Sequence, residues 1–156
     1  GKVFSVTGWK IGWSVAPLDL TTAIRSAHQY MTFCASTPLQ VAAAEALKAP
    51  DEYFETYTAE YRARRDLLVD GLQSVGFNVS SPEGTYFILA DHTPFGLQDD
   101  VAFCHHLVNK CLVVGIPPSS FYAKSDEGKG LVRFAFCKTL ETLEKAVDRL
   151  QLLPSE

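Results

Sequence analysis

No run of this sequence approaches the ~20 apolar residues that a membrane-spanning helix needs. Positive charge is not in excess either: 14 Lys and Arg face 18 Asp and Glu, for a net charge of −4. That balance supplies no general attraction to nucleic acid or to an anionic membrane, so any anion site must be local. There is no Cys-x-x-Cys pair. Cys34, Cys104, Cys111 and Cys137 stand singly. Cys104 and Cys111 fall about two helical turns apart, beyond disulfide reach. The four read as free thiols of a reducing compartment. His105 and His106 are adjacent, diverge by ~100° on a helix and match no usual zinc spacing, so no metal site is expected. Internal repeats and low-complexity tracts are missing. Residues 1–16 do not have a signal-peptide layout, because lysines interrupt their apolar stretch.

What is present is a chain of 156 residues, 47% hydrophobic and 21% charged, enough for one ordinary folded core. Its most informative segment is the first one, Gly1-Lys2-Val3-Phe4-Ser5-Val6-Thr7-Gly8-Trp9-Lys10-Ile11-Gly12-Trp13. Two lysines sit in an apolar, aromatic, glycine-punctuated stretch, where burying a charged amine is expensive. A desolvated amine is a good carbonyl nucleophile and can hold an aldehyde cofactor as a Schiff base. A second, charged amine nearby would neutralise a phosphate on that cofactor. The plainer alternatives are a frayed terminal lysine and a solvated turn lysine.

Residues 2–7 and 11–16 read as two short strands around Thr7-Gly8, a carrier for the two lysines. Leu20, Ile24, Ala27 and Met31 recur with helical spacing, predicting a helix over 18–33. Pro38 suits the first turn of an alanine-rich helix that runs to Lys48. Ala49-Pro50-Asp51 is the clearest boundary. A long helix follows to about Ser74, carrying Tyr53, Tyr57 and Tyr61 in a stripe and Arg62, Arg64 and Arg65 on a solvated face, and closed by Gly76. Strands are predicted at 77–79, 85–90, 112–116 and 131–137, helices at 99–110 and 139–150, and a polar loop at 125–130. This order from residue 51 onward suggests an α/β sandwich with an open sheet. Arg133 stands inside the strand Leu-Val-Arg-Phe-Ala-Phe. An arginine among buried neighbours needs an anionic partner, and a guanidinium grips a carboxylate by two parallel hydrogen bonds. A structural ion pair is the alternative.

Five motifs in order carry a family resemblance. Lys2 to Trp13 resembles the cofactor-lysine motif of fold-type I, pyridoxal-phosphate-dependent class I/II aminotransferases, in the form seen in the kynurenine and glutamine transaminase branch that includes cysteine-conjugate β-lyases. Ala27-His28-Gln29 follows in the next helix. Gly84-Thr85-Tyr86-Phe87 is similar to the family's glycine-aromatic strand. Gly115-Ile116-Pro117-x-Ser119-x-Phe121-Tyr122 and Val132-Arg133-Phe134-Ala135-Phe136-Cys137-Lys138 resemble its C-terminal signatures.

The resemblance covers about residues 1–150 and implies an α/β fold-type I chain. Residues 1–50 would be the tail of the large cofactor-binding domain and 51–156 the small C-terminal domain. It implies pyridoxal 5'-phosphate held by Lys2 as Schiff base, with Lys10 on its phosphate, and Arg133 on the substrate α-carboxylate. Phe33 falls where relatives place an aromatic from a partner subunit at the mouth of the site. Trp9, Trp13, Tyr86 and Phe121 read first as packing. The implied activity is transfer of an amino group between a neutral or aromatic amino acid and a 2-oxo acid, in a cytoplasmic homodimer. A β-lyase on the same site and a non-catalytic assembly domain stay open. Such enzymes are well over twice as long, and the aspartate, asparagine, tyrosine and stacking aromatic of their cofactor pocket have no counterpart here. Asp19, Asp51 and Asp91 lie in other contexts. The chain therefore reads as a portion of a larger enzyme, incompetent by itself.

Overall fold

A computed structural model of the protein describes residues 1–97 and 99–153. The chain divides into two compact units, Gly1–Tyr57 and Thr58–Glu156.

The first unit opens with a tight irregular coil. Ser5 N–H donates to the Lys2 carbonyl and Val6 N–H to the Gly1 carbonyl, and a single 3-10 turn covers Thr7–Trp9. The two strands expected here do not form. Ser5 and Lys10 adopt the left-handed region, at φ 54° and 55°, which breaks an extended run. Residues 11–16 take no strand pairing, and a strand without a ladder leaves its backbone groups unpaired. Helix α1 (Leu18–Met31) begins directly after Pro17, and α2 (Thr37–Ala46) carries Pro38 in its first turn, where the absent N–H is no loss. Neither helix buries a single residue. Helix α3 (Asp51–Val75) starts at Asp51, and the division between the units falls inside it, after Tyr57. Phe4 stacks on Tyr53 with ring centroids 5.8 Å apart, and the Tyr53 hydroxyl donates to the Val3 carbonyl at 2.6 Å, tying the coil to the start of α3.

The second unit has a conventional core. Gly76, at φ 112°, ends α3 in a conformation that glycine adopts without strain. Strands β1 (Asn78–Val79), β2 (Phe87–Asp91) and β3 (Leu131–Ala135) form an antiparallel sheet in chain order. Helix α4 (Asp100–His106) is capped by Asp99, whose carboxylate accepts from Ala102 N–H at 2.7 Å, and runs on into a π-helical turn at Leu107–Cys111. Helix α5 (Leu140–Leu150) is capped by Thr139.

The expected strand at 112–116 is only extended. Ile116 alone pairs, with Arg133. Leu112 sits at φ 55° as the end of the π-helical turn, so the run starts in the wrong conformation for a ladder. Its period-2 burial survives: Val113 and Gly115 are buried, Leu112, Val114 and Ile116 exposed. The loop expected at 125–130 holds a 3-10 turn at Ser125–Gly128.

Leu68, Val69 and Leu72 of α3, Ile88 and Ala90 of β2, Phe103 of α4, Leu107 of the π-helical turn, Val132 and Phe134 of β3, and Leu143 and Leu150 of α5 close one core. Phe77 joins it edge-on to Phe103 and Phe134. Arg64 and Arg65 depart from a plainly solvated face. Arg64 lies over the Tyr61 ring while pairing with Glu60, and Arg65 donates to the Pro82 carbonyl at 3.2 Å. No helix among the described residues is long and apolar enough to cross a membrane.

Candidate active site

Strand parity puts Arg133 where chemistry is possible. Along β3, Val132 and Phe134 face the core, so Leu131, Arg133 and Ala135 face the other side of the sheet. The register sets Leu89 of β2 opposite Arg133 and Phe87 opposite Ala135. Phe87 is thus Arg133's diagonal neighbour on that face. The guanidinium carbon lies 4.1 Å from the centroid of the Phe87 ring, 5.5 Å from Phe121 and 5.6 Å from Tyr86. One terminal nitrogen, Nη2, donates to the Tyr86 hydroxyl at 3.2 Å. Nε is buried and has no hydrogen-bond partner. A buried donor left unmatched costs about 1–3 kcal/mol, and more on a charged group. Among the described residues no carboxylate pairs with Arg133, so the ion-pair alternative has no partner here. The result is a half-buried cation against aromatic faces, each contact of a kind worth ~0.5–2 kcal/mol, with its full charge available to an anion.

Lys2 and Lys10 occupy the opening coil of the first unit. Lys2 is half-buried, and its carbonyl accepts the Ser5 N–H. Lys10 is exposed and ends the 3-10 turn. Other residues of the same coil, Phe4, Val6, Trp9, Ile11 and Trp13, wall an apolar cavity of about 340 Å³ together with Tyr53. Trp9 and Trp13 remain exposed at 36% and 62%, so within this unit they are cavity walls rather than core. Phe33 stands after α1 at φ 69° with 79% of its surface exposed. It meets neither lysine in any described ring contact. The structure therefore groups the two lysines on one coil, gathers aromatics around Arg133, and leaves Phe33 projecting.

The sequence reading took Tyr86 and Phe121 first as packing and gave Phe87 no role of its own. The signal was available in the parity of β3 and the Gly-Thr-Tyr-Phe strand beside it, but only the register shows which aromatics reach the guanidinium. It also passed over a buried polar pair. His92 Nε2 donates to the Lys129 carbonyl at 2.9 Å, and its ring stacks on Phe103 with centroids 4.3 Å apart. Asp100 accepts from the Ser119 amide at 2.7 Å, fixing the turn that carries Phe121. The buried thiols are inert. Burial, and then the nearby Asp100 carboxylate, push Cys104 up to about 11, and burial raises Cys111. A thiol so shifted offers almost no thiolate near neutral pH.

The family model for class I and II aminotransferases matches residues 1–150. This chain belongs to the class I and II aminotransferase family. Over 97% of its length it is 41% identical to the probable N-succinyldiaminopimelate aminotransferase DapC of Mycobacterium tuberculosis. The solved structure of that organism's N-succinyldiaminopimelate aminotransferase superimposes with a TM-score of 0.86 at 42% identity, covering 97% of this chain and 40% of that one. The methionine aminotransferase of Escherichia coli is 40% identical over 98% of the chain, and the kynurenine–oxoglutarate transaminase of Dictyostelium discoideum 37% over 96%. The fold is thus that of the fold-type I aminotransferases, present in part. The chain spans about 40% of the length of the curated relatives it matches.

Proposed function

We propose that this chain is the lysine-bearing portion of a pyridoxal-phosphate-dependent aminotransferase that moves an amino group between an amino acid and a 2-oxo acid. The observation that carries the proposal is Arg133, a half-buried guanidinium set among aromatic rings and lacking a carboxylate partner among the described residues. It suits the carboxylate common to both substrates. The donor chemistry of the first unit fits the cofactor: Lys2 offers a primary amine on a half-buried residue of the coil that walls an apolar cavity, and Lys10 an exposed cation for a phosphate.

Bound pyridoxal phosphate supplies an aldehyde and an electron sink that no side chain possesses. The chain's own residues do the rest. The Lys2 amine would hold the cofactor covalently between turnovers. When not so engaged, the same amine would serve as the base that takes the proton from the substrate Cα and as the acid that gives it back. Lys10 fixes the phosphate. Arg133 orients the substrate through its carboxylate, converting a collision into a positioned reaction.

Residues 1–50 belong, on this reading, to the large cofactor-binding domain and 51–156 to the small one. The rest of the cofactor pocket would come from parts of the parent protein beyond this chain, which the 40% coverage of the relatives supports. A homodimer would use Phe33 at the mouth of a partner's site, consistent with its exposure. Free cysteines accord with the cytoplasm. The amino donor is neutral or aromatic, such as glutamine, methionine or kynurenine, in line with relatives named for methionine and kynurenine.

Borohydride reduction of the full-length parent loaded with pyridoxal phosphate, followed by peptide mapping, should place the cofactor on Lys2. Label on another lysine would sink the proposal. Product analysis separates the rival chemistry: a transaminase yields the keto acid of the donor, a β-lyase pyruvate and ammonia. Neither product from a folded, dimeric parent would leave an assembly role.

A further inference from the structure

We propose that Tyr86 is a positioning residue for the carboxylate receptor and that Arg133 grips the carboxylate end-on, through Nη1 and Nη2. This rests on Arg133 being that receptor.

A guanidinium can meet a carboxylate along its Nε–Nη2 side or across its two terminal nitrogens. The first edge is closed in this molecule, because Nε is buried. Nη2 carries two hydrogens, and one is committed to the Tyr86 hydroxyl at 3.2 Å. The second, with Nη1, is what remains for a two-point grip. The phenol suits this task by being neutral: it accepts a hydrogen bond and fixes the fork while leaving the whole positive charge to the ligand. A carboxylate at the same place would have quenched it.

The phenol is itself held firmly. Thr85, at φ 68°, lies in the bend at residues 83–86 that leads into β2. The Tyr86 carbonyl accepts from Phe136 N–H at 2.9 Å, extending the β2–β3 ladder by one step. Its ring meets Phe87 edge-on at 5.4 Å and 86°. Tyr86 and Arg133 are therefore located by the same pair of strands, and the guanidinium is pressed at 4.1 Å against the Phe87 ring between them in sequence. A hydrogen bond to a charged group on so rigid a frame restrains the rotation of the fork.

The test uses the full-length parent enzyme with its cofactor, and 3-phenylpropionate, an unreactive carboxylate, as the calorimetric probe. Tyr86→Phe keeps the ring and removes only the acceptor. It should weaken probe binding and raise KM for the amino donor about fivefold to tenfold, with kcat held within about twofold. Arg133→Lys should weaken probe binding more, and adding Tyr86→Phe to it should change binding by less than about twofold, because the hydroxyl then has no fork to orient. If Arg133→Lys weakens the probe and Tyr86→Phe does not, the receptor stands and the positioning role falls. A Tyr86→Phe effect of full size in the Arg133→Lys background also overturns it, since the hydroxyl would be acting on the ligand itself. If Arg133→Lys leaves probe affinity unchanged, Arg133 is not the receptor and both readings fall.

Discussion

Gly1–Tyr57 and Thr58–Glu156 spend similar apolar side chains to opposite effect. In the second unit Leu72, Ile88 and Phe103 are fully buried. In the first, Leu18, Met31 and Phe33 are 82%, 84% and 79% exposed, and no residue is buried. Both units contain well-formed amphipathic helices, so the contrast is not one of helix propensity. An apolar stripe stabilises a fold only when another surface covers it, by about 1.5–3 kcal/mol for each large side chain removed from water. The second unit meets that condition internally through its sheet, α4 and α5. The first does not, and an exposed apolar surface of this kind marks an interface. Lys2 and Lys10, proposed to hold the cofactor, lie in the unit with no core of its own.

The largest test of this contrast is on activity. Lys2→Ala in the full-length parent should lower transamination by at least roughly 10²–10⁴-fold, the span a general base supplies, while the thermal midpoint holds. Undiminished turnover would remove Lys2 from the chemistry.

Stability should show the reverse pattern. Phe103→Ala, in the centre of the second core, should destabilise the chain by about 3–5 kcal/mol in denaturant melts, whereas Ile24→Ala on α1 should stay within about 0.5 kcal/mol. Equal effects would mean that α1 is covered after all and would break the comparison.

Thiol reactivity sharpens it. Cys34 is exposed in the first unit, and Cys104 and Cys111 are buried in the second. Timed alkylation near pH 8 with mass-spectrometric readout should modify Cys34 more than about a hundredfold faster than Cys104. Comparable rates would show the second core to be open.

The smallest effect concerns acid. Burial tends to raise Asp91, but hydrogen bonds from the Thr93 hydroxyl and amide and from Asn78 outweigh it and hold the carboxyl below its ordinary value. A carboxyl depressed in the folded state stabilises above its unfolded pKa, about 3.9, and that contribution fades as pH falls through the lower folded value. Asp91→Asn should therefore cost a little stability at pH 7 and nothing at the acid end of the curve. A pH-independent difference would assign the loss to packing.

Much of the second unit was legible without coordinates. The sequence predicts helices where α3 and α5 lie, Gly76 marks the end of α3, and a strand is predicted over 131–137 with Arg133 inside it. The opening coil was misread as strands. Its alternation of apolar residues is real, but Ser5 and Lys10 turn left-handed and no ladder partner is there. The run at 112–116 failed for a related reason: period-2 burial is a property of an extended chain, whereas a strand also needs a neighbour.

The sequence by itself determined the local matters, because they depend on neighbours along the chain: the helices, the glycine that ends α3, the order of the five motifs, and the presence of two lysines in the opening segment and one arginine in a strand. Tertiary structure alone decided which of the many aromatics surround Arg133, that Tyr86 takes one of its hydrogens, and that Nε is sealed. These depend on the pairing of β2 with β3, residues more than forty apart in sequence, and a register shifted by one residue would have turned Arg133 into the core.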